Sequence, residues 1–388
     1  MFIFLATFVL LYGLMHAYAF VKARAALAFG LPAAALILFG MAFMVVAPVL
    51  VRLAEMRAPD HTARILGFIG YTWMGLVFVF VCSAFAVDLF RVVVCLIGKV
   101  FRSDLGRFAP AAKAGFYLPL ICALAVAVYG SFEASHIRRE EVVIKTSKIS
   151  PQPGILRIAQ ISDVHLGLLL RERRLARILD EVRRAKPDMV VSTGDLVDGQ
   201  RTSLNGLDKS LRDVRPPYGK FAVTGNHEFY AGIENSLDFT GKAGFTVLRG
   251  EAVQVGSGLT VVGVDDPANP GYGQARAEAE KEVFSKAARD CFKVLLKHRP
   301  SVNPDCVGLF DLQLSGHVHG GQIFPFRLLV RLFYPYASGY HSLGQGSSLS
   351  VSRGSGTWGP PIRFLSPPEV TIITLIHEDV RSKGSGAR

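Results

Sequence analysis

None of the five cysteines stands in a CxxC pair, so the chain offers neither a thiolate zinc site nor a dithiol redox motif. Cys82, Cys95 and Cys122 fall in or beside apolar runs, and Cys291 and Cys306 lie later in the chain, where they are either a pair in an oxidising compartment or two buried thiols. A formal net charge of +12 would suit nucleic acid, but no basic run with interleaved aromatics is present. Lys and Arg are scattered and many flank apolar stretches, which fits an acidic membrane surface better. The first apolar run has no basic region ahead of it and is followed by three more, so it reads as a retained span and not as a cleavable signal. The runs show no buried charged pair and no broken-helix signature, which argues against a transporter.

What is abundant is apolar length. Half of the 388 residues are hydrophobic, and the excess sits before about Phe132, with the charges after it. Phe2–Phe20, Leu27–Val51, Ile65–Phe90 and Gly115–Phe132 each approach or exceed the roughly 20 residues that cross a bilayer as helix. The organisation expected is a four-helix transmembrane region over 1–132, a linker over 133–154, a catalytic domain over 155–378 and a disordered tail over 379–388. The loop holding Arg91, Lys99, Arg102, Arg107 and Lys113 is the most basic, and Lys22 and Arg24 stand in the first loop. The positive-inside rule puts both in the cytoplasm and the catalytic domain outside, on the periplasmic face of a bacterial inner membrane. Arg138, Arg139, Lys145 and Lys148 pull the other way. Asp88, near the end of the third run, is expected to pair with Arg91 one turn on.

After Gly154 a pattern repeats: a short apolar run ends in a cluster of Asp, Asn, His and Gly. Leu156–Ile161 leads to Asp163 and His165, Met189–Val191 to Gly194-Asp195, and Phe221–Val223 to Gly225-Asn226-His227. Val294–Leu296 leads to His298, and Leu312–Leu314 to Gly316-His317-Val318-His319-Gly320-Gly321. The runs have the length of buried strands. Between the first two, Arg171–Lys186 carries Leu175, Ile178, Leu179 and Val182 on one helical face. Strand, helix, strand predicts an α/β layered fold, in which the carboxyl ends of neighbouring strands share an edge where a site assembles.

Carboxylates, imidazoles and one carboxamide form a mixed N/O donor set suited to Mn, Fe or Zn. Asp163, His165, Asp195, Asn226, His298, His317 and His319 are too many donors for one ion. With a bridging carboxylate they suit two ions ~3.5–4 Å apart, an arrangement adapted to attack on phosphorus. His227, not needed as a ligand, is expected to protonate the leaving oxygen. The glycines of the clusters are turn residues and also let backbone approach a metal.

In order and spacing, Asp163-x-His165, Gly194-Asp195, Gly225-Asn226-His227, His298 and Gly316-His317-x-His319 resemble the motifs of the calcineurin-like metallophosphoesterases. The run His317-Val318-His319-Gly320-Gly321-Gln322 looks like the bacterial membrane-associated phosphodiesterase branch, itself similar to enzymes that cleave UDP-2,3-diacylglucosamine. The resemblance covers about Leu156–Ile376. It implies a layered β-sandwich flanked by helices and two divalent ions, manganese favoured. Asp163, His165, Asp195 and His319 would hold one; Asp195, Asn226, His298 and His317 would hold the other.

Three further features carry expectations. Asp198, Asp265 and Asp266 either tune the metal ligands from behind or cap turns, and the turn reading is preferred. Arg353, in a Gly/Pro-rich loop, is offered as a contact for substrate phosphate. Ile323–Tyr336 is apolar, with Arg327 and Arg331 at helical spacing; it either packs on its own domain or touches lipid. The leading function is hydrolysis of a phosphodiester or pyrophosphate bond in a lipid-linked substrate. The rivals are a phosphatase or phosphodiesterase on soluble phosphomonoesters or nucleotides, and a non-catalytic membrane scaffold or sensor, which would be expected to have lost ligands.

Overall fold

In a computed structural model, residues 2–57, 60–198, 204, 206–256, 258–269, 276–285 and 290–379 are described. Contacts group them into two units. One comprises the N-terminal helices up to Phe132 together with Gly359–Ile362, and the other comprises the remainder from Glu133 onward.

The first unit holds α1 (Phe2–Leu27), α2 (Leu31–Arg57), α3 (Asp60–Val100) and α4 (Ala114–Ser135), the last ending just past the unit boundary. All four are long and apolar enough to cross a membrane. Their large apolar side chains point outward, with Phe39 at 74% and Val128 at 76% exposure. Water would penalise that surface, whereas lipid solvates it. Small residues let α2 and α3 approach: a Cβ added at Gly70 would lie 3.3 Å from that of Ala47. At 41 residues α3 is about 60 Å long, twice the hydrocarbon thickness. Helix therefore continues through Arg91–Val100, which the sequence reading assigned to a loop. Asp88 has more partners than the expected Arg91: Tyr18 Oη donates to it at 2.6 Å and Lys22 pairs with it, so the carboxylate also ties α1 to α3.

The second unit runs β1 (Arg138–Thr146), β2 (Ile155–Ile161), α5 (Glu172–Ala185), β3 (Met189–Ser192), α6 (Leu207–Arg212) and β4 (Lys220–Ala222). It continues with α7 (Asn226–Ala231), α8 (Ile233–Lys242), β5 (Thr246–Val247), β6 (Glu251–Val255), β7 (Leu259–Gly263), α9 (Arg276–Ser285) and β8 (Phe292–Leu296). It closes with β9 (Leu312–Ser315), α10 (Phe326–Phe333), β10 (Gly339–Gly344), β11 (Ser347–Val351) and β12 (Glu369–His377). Two six-stranded mixed sheets result, ordered β1-β12-β2-β3-β4-β5 and β10-β11-β9-β8-β7-β6.

Alternation along each strand divides the core. Ile158, Val191, Phe221 and Ile373 of the first sheet meet Val261, Val294, Leu312 and Leu314 of the second. Ala159, Ile161, Val190 and Ala222 turn the other way and are covered by α5, α6 and α8 through Leu175, Ile178, Leu211 and Phe239. On the outer face of the second sheet, Val262 and Leu295 pack on Val283 and Phe284 of α9. The layers are thus helix, sheet, sheet, helix, which is the expected α/β class. Within the first sheet β2, β3 and β4 are parallel neighbours, as are β8 and β9 in the second. All five polar clusters follow the carboxyl ends of these strands.

The segment read as linker, 133–154, is a correction. Within it β1 pairs in parallel with β12 along its whole length, beginning two residues after α4 ends. It is an edge strand in which exposed and half-buried residues alternate and whose first four residues are charged, so its sequence lacks the apolar run of an inner strand. Cys291 and Cys306 form no disulfide: Cys291 Sγ lies 2.9 Å from Thr260 Oγ1, and Cys306 accepts from Asn303 Nδ2. Of the expected tail, residues 380–388 lie outside the described residues.

Candidate metal centre

Local backbone geometry is the first sign of a built site. Asp163, His165, Asp195, His317 and His319 all have positive φ, between 49° and 72°. Left-handed non-glycine residues are uncommon, and they persist only where their surroundings hold them. Here neighbouring loops do so: Asp163 N donates to Gly194 O at 3.0 Å and His165 N to Asp195 O at 2.9 Å. Two glycines are required by space. A Cβ on Gly225 would lie 2.1 Å from Asp195 Oδ1, and one on Gly316 would lie 1.9 Å from Ser162 Oγ.

The side chains converge in two overlapping groups. In the first, His319 Nε2 lies 3.0 Å from His165 Nε2 and 3.6 Å from Asp163 Oδ1. In the second, His298 Nε2 lies 3.1 Å from Asp195 Oδ2 and 3.1 Å from His317 Nδ1. Asp195 Oδ2 is also 4.0 Å from His165 Nε2, so this carboxylate stands between the groups. Asn226 Oδ1 is buried and has no hydrogen-bond partner. A buried carbonyl oxygen is costly to leave unpaired, and a cation would satisfy it. All seven sequence-predicted donors and His227 are therefore brought to one place, and His/Asp groups with ligand spacing fall among them.

Electrostatics point the same way. Burial would raise the Asp195 carboxyl, but the charges of His298 and His227 hold it well below the usual range. Burial opposes charge on His298 too, yet Asp195 and Asp163 push it up to about 10. Two buried carboxylates, Asp163 and Asp195, with half-buried Asp198 beside them, need compensating positive charge, and the imidazoliums supply part of it. His298 Nδ1 lies 2.8 Å from Thr193 O, which accepts a hydrogen bond from Nδ1–H and leaves Nε2 as the nitrogen that would give up its proton when a cation binds. The residues present therefore fit divalent cations.

Three contributors were missed or misread from sequence. Asp198, read as a turn cap, places Oδ1 2.6 Å from His227 Nδ1. Burial disfavours the His227 imidazolium, but Asp198 and Asp195 outweigh it and push His227 up to about 9. Glu228 is buried and accepts backbone N–H groups from Gly225, Asp195 and Val197 at 2.7, 3.0 and 3.1 Å, fixing two cluster loops at once. A Glu three residues after Gly225 is a helix-capping signal that could have flagged it. Arg363, fully buried, donates to the carbonyls of Arg353, Gly356 and His319, with Nη2 3.2 Å from His319 Nδ1. No motif announces it.

Asp265 is corrected as well, whereas Asp266 caps a turn as read. Asp265 pairs with Arg249 at 2.7 Å and accepts from Thr224 Oγ1. Asp266 pairs with Arg299 at 2.8 Å while still capping Ala268 N. Arg353 does not reach toward a substrate; Glu140 and Glu369 hold its Nη2 at 2.5 and 2.6 Å. Aromatic rings border the donors instead: Tyr230 and Trp358 lie 5.5 and 5.8 Å from the His227 ring, and Tyr334 lies 5.5 Å from His317.

Comparison with known proteins agrees with this chemistry. A model of the calcineurin-like phosphoesterases matches residues 156–321. An uncharacterized metallophosphoesterase of Aquifex aeolicus (strain VF5) is 41% identical over 257 residues, covering 66% of this chain and 98% of that one. An uncharacterized metallophosphoesterase of Campylobacter jejuni is 33% identical over 296 residues, covering 74% and 76%. A transmembrane protein with metallophosphoesterase domain from Danio rerio is 29% identical over 330 residues, covering 78% and 74%. That last match is too long to lie within the phosphoesterase unit alone.

Proposed function

The chain belongs to the calcineurin-like phosphoesterase family, and on that premise we propose that it is a membrane-anchored two-metal hydrolase of phosphodiester or pyrophosphate bonds. Asp163, His165, Asp195 and His319 would hold one divalent ion, and Asp195, Asn226, His298 and His317 the second, with manganese favoured. The observation that carries the reading is Asp195, whose Oδ2 stands between the two donor groups. Bound ions at such a site lower the pKa of a coordinated water and offset charge on the phosphoryl oxygens.

The chain's own residues supply the proton. With His227 Nδ1 held by Asp198, Nε2 is the nitrogen left to donate to the leaving oxygen. Asp198 keeps the ring charged and oriented, while the His227 N–H donates to Asp195 Oδ1 at 2.8 Å and fixes the backbone. Asp163 is held in place by Ser162 Oγ at 2.6 Å and His317 N at 2.9 Å. A scaffold without catalysis is disfavoured because all eight positions retain competent residues.

The substrate favoured is lipid-linked, such as UDP-2,3-diacylglucosamine. What supports it is the apolar segment that starts a few residues after His319 and ends on Tyr334 beside His317. Soluble phosphomonoesters or nucleotides are the alternative. The catalytic domain is assigned to the outer side of a bacterial inner membrane by its basic loops. The deciding experiment is turnover by the purified, metal-reconstituted protein on diester, monoester and lipid-pyrophosphate substrates side by side. Turnover of the diester or lipid pyrophosphate that needs added Mn is expected. Activity on the monoester alone would overturn the bond assignment, and no metal-dependent activity on any of them would overturn the hydrolase.

A further inference from the structure

α10 is an amphipathic helix turned inside out. Val330 and Tyr334, one turn apart, pack against Val318, Leu349 and Val351. Arg327 lies on the same side and donates from Nη2 to Ser338 Oγ at 2.8 Å. The opposite side carries Leu328, Leu329, Leu332 and Phe333, which are 51–79% exposed, and Phe324 just before the helix is 42% exposed. A water-facing helix surface is normally polar. Here it is a contiguous apolar face, larger than the singly scattered apolar residues of an ordinary surface. Arg331 stands exposed at its flank, and no Asp or Glu occurs from Ile323 to Tyr336.

We propose that this face lies in the headgroup–acyl boundary of the bilayer that the chain's own helices span. Three observations select lipid over a protein partner. The phosphoesterase unit is joined to α4 through two residues, which keeps a membrane surface at high effective concentration. The face is purely apolar with a cationic flank, the composition of helices that lie in a membrane interface. The complete lack of acidic residues complements anionic headgroups.

The consequence concerns the active site. α10 follows directly from the turn carrying His317 and His319, and a Cβ on Gly321 of that turn would lie 2.4 Å from Arg327 Cα. Helix and metal turn therefore move as one body, and docking α10 sets the donor groups at a fixed height over the lipid phosphates. This inference does not depend on the substrate assignment.

The test uses the full chain in liposomes of phosphatidylethanolamine and phosphatidylglycerol, with Cys82, Cys95, Cys122, Cys291 and Cys306 replaced by Ala. A nitroxide on Leu332→Cys should collide readily with oxygen and poorly with a water-soluble nickel chelate, at a depth of about 5–10 Å. A nitroxide on Glu172→Cys, exposed on α5, should report water. Equal chelate access at both positions overturns the proposal. Shielding of Leu332 from both reagents overturns it too, because it means protein contact, such as a second copy. The unsubstituted protein gives a second readout. With a photoactivatable phosphatidylglycerol, adducts should map to Leu328–Phe333; adducts confined to α1–α4 would refute docking. Neither measurement uses turnover, so an inactive preparation still decides it.

Discussion

Asp198→Asn tests the proton donor, with metal content measured alongside because Asp198 Oδ2 also lies 3.5 Å from His165 Nδ1. In the ion-free protein His227 is pushed up to about 9 from 6.5, largely by the carboxylate 2.6 Å from its Nδ1. That rise corresponds to about 3 kcal/mol favouring the imidazolium, less a discount because a third of the Asp198 side chain meets solvent. Removing the charge while keeping the shape should return His227 to its ordinary value or below, since burial pulls it down. The variant should therefore lose turnover at pH 8 on an alkyl diester, whose leaving oxygen needs a proton, by on the order of 10²-fold. It should lose far less on a nitrophenyl ester, and its alkaline limb should move toward lower pH. The sign for stability follows from the raised pKa. The ion pair contributes fully below about pH 6.5, and its contribution disappears as pH rises through about 9. Bound cations lower His227 in both proteins, so the comparison is made at equal metal content. An unmoved alkaline limb, or equal losses for both leaving groups, would refute the general-acid assignment.

Asp195→Asn should reduce bound metal, measured by elemental analysis, more than His165→Ala does, because Asp195 Oδ2 stands between both donor groups. Gly225→Ala should lose both metal and activity while its secondary structure by circular dichroism is kept. Its φ of −105° is open to alanine, and what forbids the methyl group is Asp195, with Oδ1 at 2.1 Å and the backbone N at 2.6 Å. A reporter fused after Arg388 should show active alkaline phosphatase and a dark fluorescent protein; the reverse pair places the catalytic domain in the cytoplasm.

The site was legible where a ligand and the turn that presents it are adjacent in sequence. Asp163-x-His165, Gly194-Asp195 and Gly316-His317-x-His319 each encode a strand end, a tight backbone and a donor within a few residues. Inner strands were legible for a similar local reason, since they are continuous apolar runs buried on both faces. What escaped depends on distant pairing. The His227–Asp198 contact joins loops 29 residues apart, and nothing beside Asp198 distinguishes it from a turn cap. β1 is stabilised by hydrogen bonds to β12 at the other end of the domain, and its Arg-Arg-Glu-Glu start reads as solvent-exposed linker. Arg363 has no local pattern at all, because its acceptors are carbonyls of the His319 turn and of the Arg353–Gly356 loop.

The same local features that made the donors readable impose a cost that bears on how the site works. Five donors sit in the left-handed region, each disfavoured by about 1–3 kcal/mol, and two carboxylates, Asp163 and Asp195, are gathered in a buried space. Neither condition helps the fold by itself. Glu228 and Arg363 counter the strain by tying the loops through backbone groups, which leaves the donor atoms uncommitted. Asn226 Oδ1 remains without a partner even so. A site held this way gains most when cations enter, because binding then removes carboxylate repulsion that the backbone network cannot. The His227–Asp198 pair joins this balance at its edge: opposite charges hold it at 2.6 Å without an ion. Asp198 Oδ2 also lies 3.5 Å from His165 Nδ1, so one carboxylate supports both the proton donor and a metal donor, and a substitution there acts on the first directly and on the second through His165.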